Sequence, residues 1–167
     1  MNIKKNLLII GPHHAGDTVI CIPTIQWIIQ SNLFTHITIV SNDLMVPVIS
    51  GLFVGAKVIS CPPGYKPFYA PILYGINLSF RLVMNSFDEV LDLRSDFIST
   101  LIIFSTWARI RRGGNYWATR LISNHPLKIC HPIQYTHEYF SELSANTIAK
   151  KALGVRDILS PVAVLNG

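Results

Sequence analysis

The chain has 167 residues, 50% of them hydrophobic and only 14% charged, with a formal net charge of +5. That length sets one domain with room for a real core, and the composition excludes an intrinsically disordered segment. So much apolar content implies a parallel sheet buried on both faces, or apolar surface covered by another domain or a membrane. The longest apolar runs, 68–80 and 97–108, fall short of the ~20 residues of a spanning helix. Lys4 and Lys5 resemble the charged start of a signal peptide, but Leu7–Ile10 is stopped at once by Gly11 and Pro12. Cys21, Cys61 and Cys130 form an odd set without metal spacing. They read as reduced thiols of a cytoplasmic protein. The positive charge points to an anionic partner; nucleic acid, an acidic lipid surface and a phosphorylated sugar all satisfy it.

Strand and helix alternate along the chain. Leu7–Ile10 reads as a buried strand ended by Gly-Pro, and Thr18–Gln30 as a helix with Val19, Ile22, Ile25, Ile28 and Ile29 at helical spacing. His36–Ser41 is β-branched and reads as a strand, Asp43–Ser50 as a weaker helix stopped by Gly51, and Lys57–Ser60 as a short strand. Cys61–Pro71 is rich in Pro, Gly and aromatics and reads as an ordered loop. Helix over Ala70–Asn85, strand over Glu89–Leu93, helix over Phe97–Ala108 and strand over Arg109–Arg112 follow, the last closed by Gly113 and Gly114. The segment 115–137 shows no periodicity. Glu138–Leu153 reads as a helix with Gly154 at its end. The alternation predicts an α/β fold, a Rossmann-like doubly wound parallel sheet, spanning residues 1–158, with 159–167 leaving it as a linker.

The segment Ile10–Thr18 lies where open α/β sheets place their ligands, at the carboxyl end of the first strand. It contains neither the glycine pattern of a dinucleotide site nor the Gly-Lys-Ser/Thr of a phosphate loop. It ends in a carboxylate, Asp17, at the mouth of a helix. Asp17 is suited both to capping that helix and to taking a proton from a sugar hydroxyl. A helix N-terminus favours the ionised form and so weakens the base. His13 and His14 beside it are suited to a phosphate or carboxylate, or to plain solvation. As a pair without further ligands they make no metal site.

Arg109, Arg111, Arg112 and Arg120 form a second constellation, able to grip phosphate or carboxylate through paired hydrogen bonds. The same arginines also suit the solvated face of an edge strand. Arg120 follows the loop-like 115–117, and Lys66 in the Pro-Gly-Tyr loop offers another cation. Asp96 is placed to cap the helix from Phe97, and Asp92 to pair with Arg94 or a neighbouring base. His137 reads as structural. Trp27, Trp107 and Trp117 read as core and interface, with Trp117 alone open to stacking on a sugar.

Gly16-Asp17 followed by Pro23, after an apolar strand, resembles the opening of the ADP-heptose:lipopolysaccharide heptosyltransferases, glycosyltransferase family 9. Phe87–Arg94 resembles that family's next strand and turn, 99–112 its following helix and basic strand, and 137–154 its helix with a leading His and a Leu-Gly-Val end. The likeness covers nearly the whole chain but only the amino-terminal half of such an enzyme. It implies a GT-B architecture of two Rossmann-like domains facing a cleft. This half would hold the anionic inner-core acceptor of lipopolysaccharide, and a carboxyl-terminal domain absent from the sequence would hold the donor, ADP-heptose. The resemblance further implies inversion at the transferred sugar, no catalytic metal or other cofactor, and a general-base role for Asp17. Peripheral contact with the inner face of the inner membrane goes with such an acceptor. Pro12, His13 and His14 depart from the residues usual in the family at those positions.

An acceptor-binding half would contact its substrate through His13, His14, Gly16, Lys66, Arg111, Arg112 and Arg120, and would transfer nothing alone, since transfer needs both substrates held in line. A stand-alone module for an anionic glycan or lipid surface is the rival reading. A nucleic-acid-binding domain rests on charge alone and lacks a basic helix or an aromatic platform. The acceptor reading predicts an uncovered face of apolar and basic residues around 12–17 and 109–120.

Overall fold

A computed structural model describes residues 5–61, 69–113 and 117–126. Six strands run in one parallel sheet: β1 Asn6–Ile10, β2 His36–Asn42, β3 Lys57–Cys61, β4 Glu89–Asp92, β5 Ile110–Gly113 and β6 His125–Pro126, in the order β3-β2-β1-β4-β5-β6. The helices are α1 Ala15–Gln30, α2 Val46–Leu52, α3 Tyr69–Val83, α4 Phe97–Thr106 and α5 Trp117–Ile122. This is the Rossmann-like doubly wound α/β fold that the alternation predicts.

The continuous apolar run of β1 follows from its place: it is the central strand, and Leu7, Leu8, Ile9 and Ile10 are all fully buried. Successive side chains point to opposite faces. Leu7 and Ile9 join Leu91, Ile25, Ile28 and Ile49 beneath α1 and α2, while Leu8 and Ile10 join Val90, Leu78, Leu82, Ile102 and Ile103 beneath α3 and α4. Two cores therefore clasp the sheet, one on each face.

Several boundaries differ from the sequence reading. Helix α1 begins three residues before Thr18, with His14 as its N-cap, and the cap carries no side-chain hydrogen bond. Asp17 thus sits inside the first turn and is not the cap; its negative charge there still favours the helix dipole. Helix α2 begins at Val46, because Asn42 and Asp43 are spent on a turn in which Asn42 Oδ1 accepts from the Met45 amide at 3.0 Å. Strand β5 is not an edge: β4 and β6 flank it. Helix α5 and β6 lie in the segment that showed no periodicity, being too short to display any. Lys66, His137, the 138–153 helix and the 159–167 linker fall outside the described residues.

Candidate functional site

Strand order reverses beside β1, whose neighbours β2 and β4 lead to helices on opposite faces. The loops after β1 and β4 leave for opposite faces there, at the carboxyl ends of the strands, where sheets of this kind form a ligand crevice. The β1 loop leaves the sheet through a tight contact. The Gly11 amide donates to the Val40 carbonyl at 2.7 Å, and a Cβ on Gly11 would stand 2.9 Å from that same oxygen. Pro12 is buried beyond it, His13 is half-buried, and His14, Ala15 and Gly16 are exposed. Asn42 at the end of β2 ties the loop down, its Nδ2 donating to the His13 carbonyl at 3.4 Å.

Asp17 is half-buried in the first turn of α1, with Thr18 beneath it; the Thr18 hydroxyl donates to the His14 carbonyl at 2.9 Å. One turn further along, burial and then the Asp17 charge push the Cys21 thiol up to about 12, so it stays a neutral core group. Beside Asp17, Val19 and Ile20 are 53% and 37% exposed, a strip of uncovered apolar surface next to the carboxylate.

The β4 loop supplies the other wall. Asp92 is fully buried and accepts from the amides of Arg94 and Ser95 at 2.9 and 3.0 Å and from the Ser99 hydroxyl at 2.9 Å. Burial pushes its carboxyl up to about 6, against the lowering effect of those three donors. Asp92 therefore organises the loop and does not pair with the Arg94 guanidinium, as the sequence had suggested. That guanidinium pairs with Asp96 at 2.5 Å, and its Nη1 meets the Cys61 sulfur at 3.2 Å. Asp96 caps α4 as expected, within a reciprocal capping box with Ser99. Burial first, then the charges of Arg94 and His14, lower the His13 pKa, which keeps that imidazole neutral near pH 7. The two histidine rings stand edge to face, 5.0 Å between centroids. Among the described residues no three His, Cys, Asp or Glu form a group able to hold a metal ion.

The structure thus brings His13, His14, Gly16 and Asp17 to one loop and helix mouth, but disperses the arginine constellation. Arg112 is 6% exposed and its Nε donates to Glu89 at 2.6 Å, toward the amino-terminal end of β4 and away from the crevice. Arg111 precedes it in sequence and so lies on the other face of the sheet, beside Val90 of β4. Arg109 stands at the amino-terminal end of β5, its carbonyl accepting from Asn124, and Arg120 is exposed on α5. Arg109 and Arg112 therefore take no part in the expected face of apolar and basic residues. Trp107 is likewise no core residue, being 78% exposed in the left-handed turn that ends α4; Trp117 is 67% exposed.

Sequence reasoning missed Asn42 and underrated Arg94. A polar residue closing a β-branched run, where a parallel strand meets the ligand end of the sheet, was the available signal for Asn42.

No protein-family profile matches the chain, and no curated protein sequence does. Solved structures do match. A family 9 glycosyl transferase from Veillonella parvula is 14% identical with a TM-score of 0.72, over 89% of this chain and 44% of that one. The Escherichia coli heptosyltransferase WaaC, solved with ADP-2-deoxy-2-fluoro heptose, is 16% identical with a TM-score of 0.59, over 89% and 48%. The E. coli ADP-heptose lipopolysaccharide heptosyltransferase II is 17% identical with a TM-score of 0.61, over 80% and 40%. At these identities the likeness is one of fold, and the chain spans under half the length of each structure.

Proposed function

We propose that the chain is the acceptor-binding, amino-terminal half of a glycosyltransferase that moves heptose from ADP-heptose to the anionic inner core of lipopolysaccharide. The observation that carries the reading is the placement of Asp17. It is a half-buried carboxylate at the switch point of a sheet whose fold is shared with heptosyltransferases, one of them solved with an ADP-heptose analogue. In this reading Asp17 takes the proton of an acceptor hydroxyl as that oxygen attacks the anomeric carbon from the face opposite the leaving group. The bond from the anomeric carbon to the diphosphate oxygen breaks, ADP leaves with the electron pair, and configuration inverts. His13, His14 and the first-turn amides of α1, Gly16 among them, face the acceptor's phosphates and carboxylates. Arg94, paired with Asp96, fixes the β4 loop beside them.

ADP-heptose would be held by a second domain outside these 167 residues. Because orientation of two substrates supplies much of the rate, this half alone binds acceptor and transfers nothing. The acceptor is built on lipid, so the reading includes contact with the membrane surface; no helix among the described residues is long and apolar enough to cross one.

Titration with a soluble inner-core oligosaccharide, at low and high salt, tests the reading. Saturable binding that weakens in His14→Ala and survives in Asp17→Asn is expected, with transfer lost in Asp17→Asn once a donor half is supplied. A folded chain that does not bind, or an Asp17→Asn variant that still supports transfer, overturns it.

A further inference from the structure

Helices α3, α4 and α5 form one layer on the face of the sheet away from α1 and α2. A surface layer of this kind ordinarily shows charge to solvent. Here Arg81 and Arg120 are the only charged residues in all three helices, and no carboxylate occurs in any of them. The outward positions carry bulky apolar groups instead. Ile76 and Phe80 on α3 and Met84 just past its end are 41%, 72% and 87% exposed, and Phe104 on α4 and Trp107 at its C-cap are 60% and 78% exposed. The Phe104 and Trp107 rings lie 6.1 Å apart, and α3 and α4 pack side by side, so the stripes adjoin.

Both helices run antiparallel to the strands, so their carboxyl ends meet at the pole opposite the crevice. Arg81 stands in the last turn of α3. Arg109 is exposed at the same pole, where the Ile110 amide reaches the Asp88 carbonyl and the Asp88 amide reaches Asn6. The result is an uncharged aromatic and aliphatic face fringed by the guanidinium groups of Arg81 and Arg109, with the Asp88 carboxylate at that pole accepting from the Asn6 amide at 2.7 Å.

We infer that the outer face of α3, α4 and α5 is a docking surface for an anionic lipid bilayer, with Phe80, Met84, Phe104 and Trp107 entering the headgroup region and Arg81 and Arg120 meeting lipid phosphates. The charge decides the occupant. A layer with two cations and no anion complements an acidic lipid surface, and aromatic rings that are apolar yet polarisable suit the boundary between headgroups and chains. The inference deepens the membrane contact proposed above and rests on that part of the reading. The oligosaccharide titration uses an acceptor without lipid, so the two can fail separately.

Co-sedimentation of the full chain with phosphatidylglycerol-containing vesicles, beside pure phosphatidylcholine vesicles, tests it. Binding to the anionic vesicles is expected to fall about fivefold for each arginine removed in Arg81→Gln and Arg120→Gln. A drop of about tenfold or more is expected in Phe80→Ser/Phe104→Ser. All four positions are exposed, so the variants should keep the fold, which circular dichroism checks. Brominated lipid should quench a tryptophan signal that Trp107→Phe removes. Equal binding to neutral vesicles overturns the inference. So does absent vesicle binding together with a concentration-dependent dimer that Phe80→Ser/Phe104→Ser disrupts, which would assign the face to a second copy of the chain.

Discussion

The carboxylate of Asp96 serves two neighbours at once: Oδ2 lies 2.5 Å from the Arg94 Nε, while Oδ1 accepts from the Ser99 amide at 2.8 Å. The Arg94 side chain is 3% exposed, so its charge depends on that partner, whereas Asp96 is 36% exposed and reaches solvent. Asp96→Ala removes a helix cap, worth ~1 kcal/mol, and strands a buried guanidinium, which costs several more. Asp96→Ser keeps the cap and removes only the ion pair. Urea unfolding should rank wild type above Asp96→Ser and Asp96→Ser above Asp96→Ala, with the last gap about 1 kcal/mol. Indistinguishable Asp96→Ser and wild type would show that the contact with Cys61 suffices to hold Arg94.

Asp92 gives the fold an acid-side stability of its own. Burial raises its carboxyl to about 6 from an ordinary 3.8. A carboxylate whose folded pKa is raised binds its proton more tightly in the native state, so its contribution is full below the unfolded value and is lost as pH rises through about 6. The loss is on the order of 2–3 kcal/mol. His13, lowered chiefly by burial, acts in the opposite sense, since stability falls as pH drops through its ordinary value. The comparison that isolates Asp92 is therefore wild type against Asp92→Asn. The stability of wild type relative to the variant should decline between about pH 4 and about pH 6 and stay level above that. A constant difference across that range would rule out the raised carboxyl.

How far the sequence spoke depends on how local each cause is. The apolar run 7–10 could only be a buried strand, and Asp96 announced its cap because the partner, Ser99, lies three residues away. The first turn of α1 was hidden because its N-cap, His14, uses no side-chain bond and Gly16 is a poor helix former. The fate of Arg112 was illegible for a different reason. Its partner Glu89 lies twenty-three positions away, and only strand pairing brings the two together. Asp92 drew attention beside Arg94, but its burial was set by the sheet, and the loop amides that it accepts were invisible as donors.

Two glycines of the same loop should respond in opposite ways. Gly11→Ala places a methyl 2.9 Å from the Val40 carbonyl oxygen, a backbone atom, and the hydrogen bond from the Gly11 amide to that same oxygen keeps either from yielding. A loss of about 1–3 kcal/mol is expected. Gly16 has no atom within 4 Å of a built Cβ and sits in helix, so Gly16→Ala should gain up to ~1 kcal/mol. If acceptor groups approach the α1 amides closely, that more stable variant should bind the inner-core oligosaccharide less well. Thermal unfolding and titration on one preparation read both effects. Undiminished affinity in Gly16→Ala would remove Gly16 from the acceptor contacts.

The pair Arg112–Glu89 is the clearest buried ion pair among the described residues, with side chains 7% and 8% exposed and 2.6 Å between Nε and Oε1. It stands on the α1 side of the sheet, Arg112 beside Leu91 and Glu89 beside Ile110 across β4 and β5, in surroundings that give an unpaired charge little water. Removing one partner should therefore be far worse than removing both. Glu89→Leu or Arg112→Leu alone is expected to cost about 3–5 kcal/mol, whereas Glu89→Leu/Arg112→Leu should fall within about 1–2 kcal/mol of wild type, because two apolar side chains need no compensation. The double-mutant cycle also tests the assignment of Arg112. A residue that gripped the acceptor would take affinity with it in the double variant, while one spent on Glu89 leaves acceptor binding unchanged. Affinity lost in a stable double variant would return Arg112 to the acceptor site.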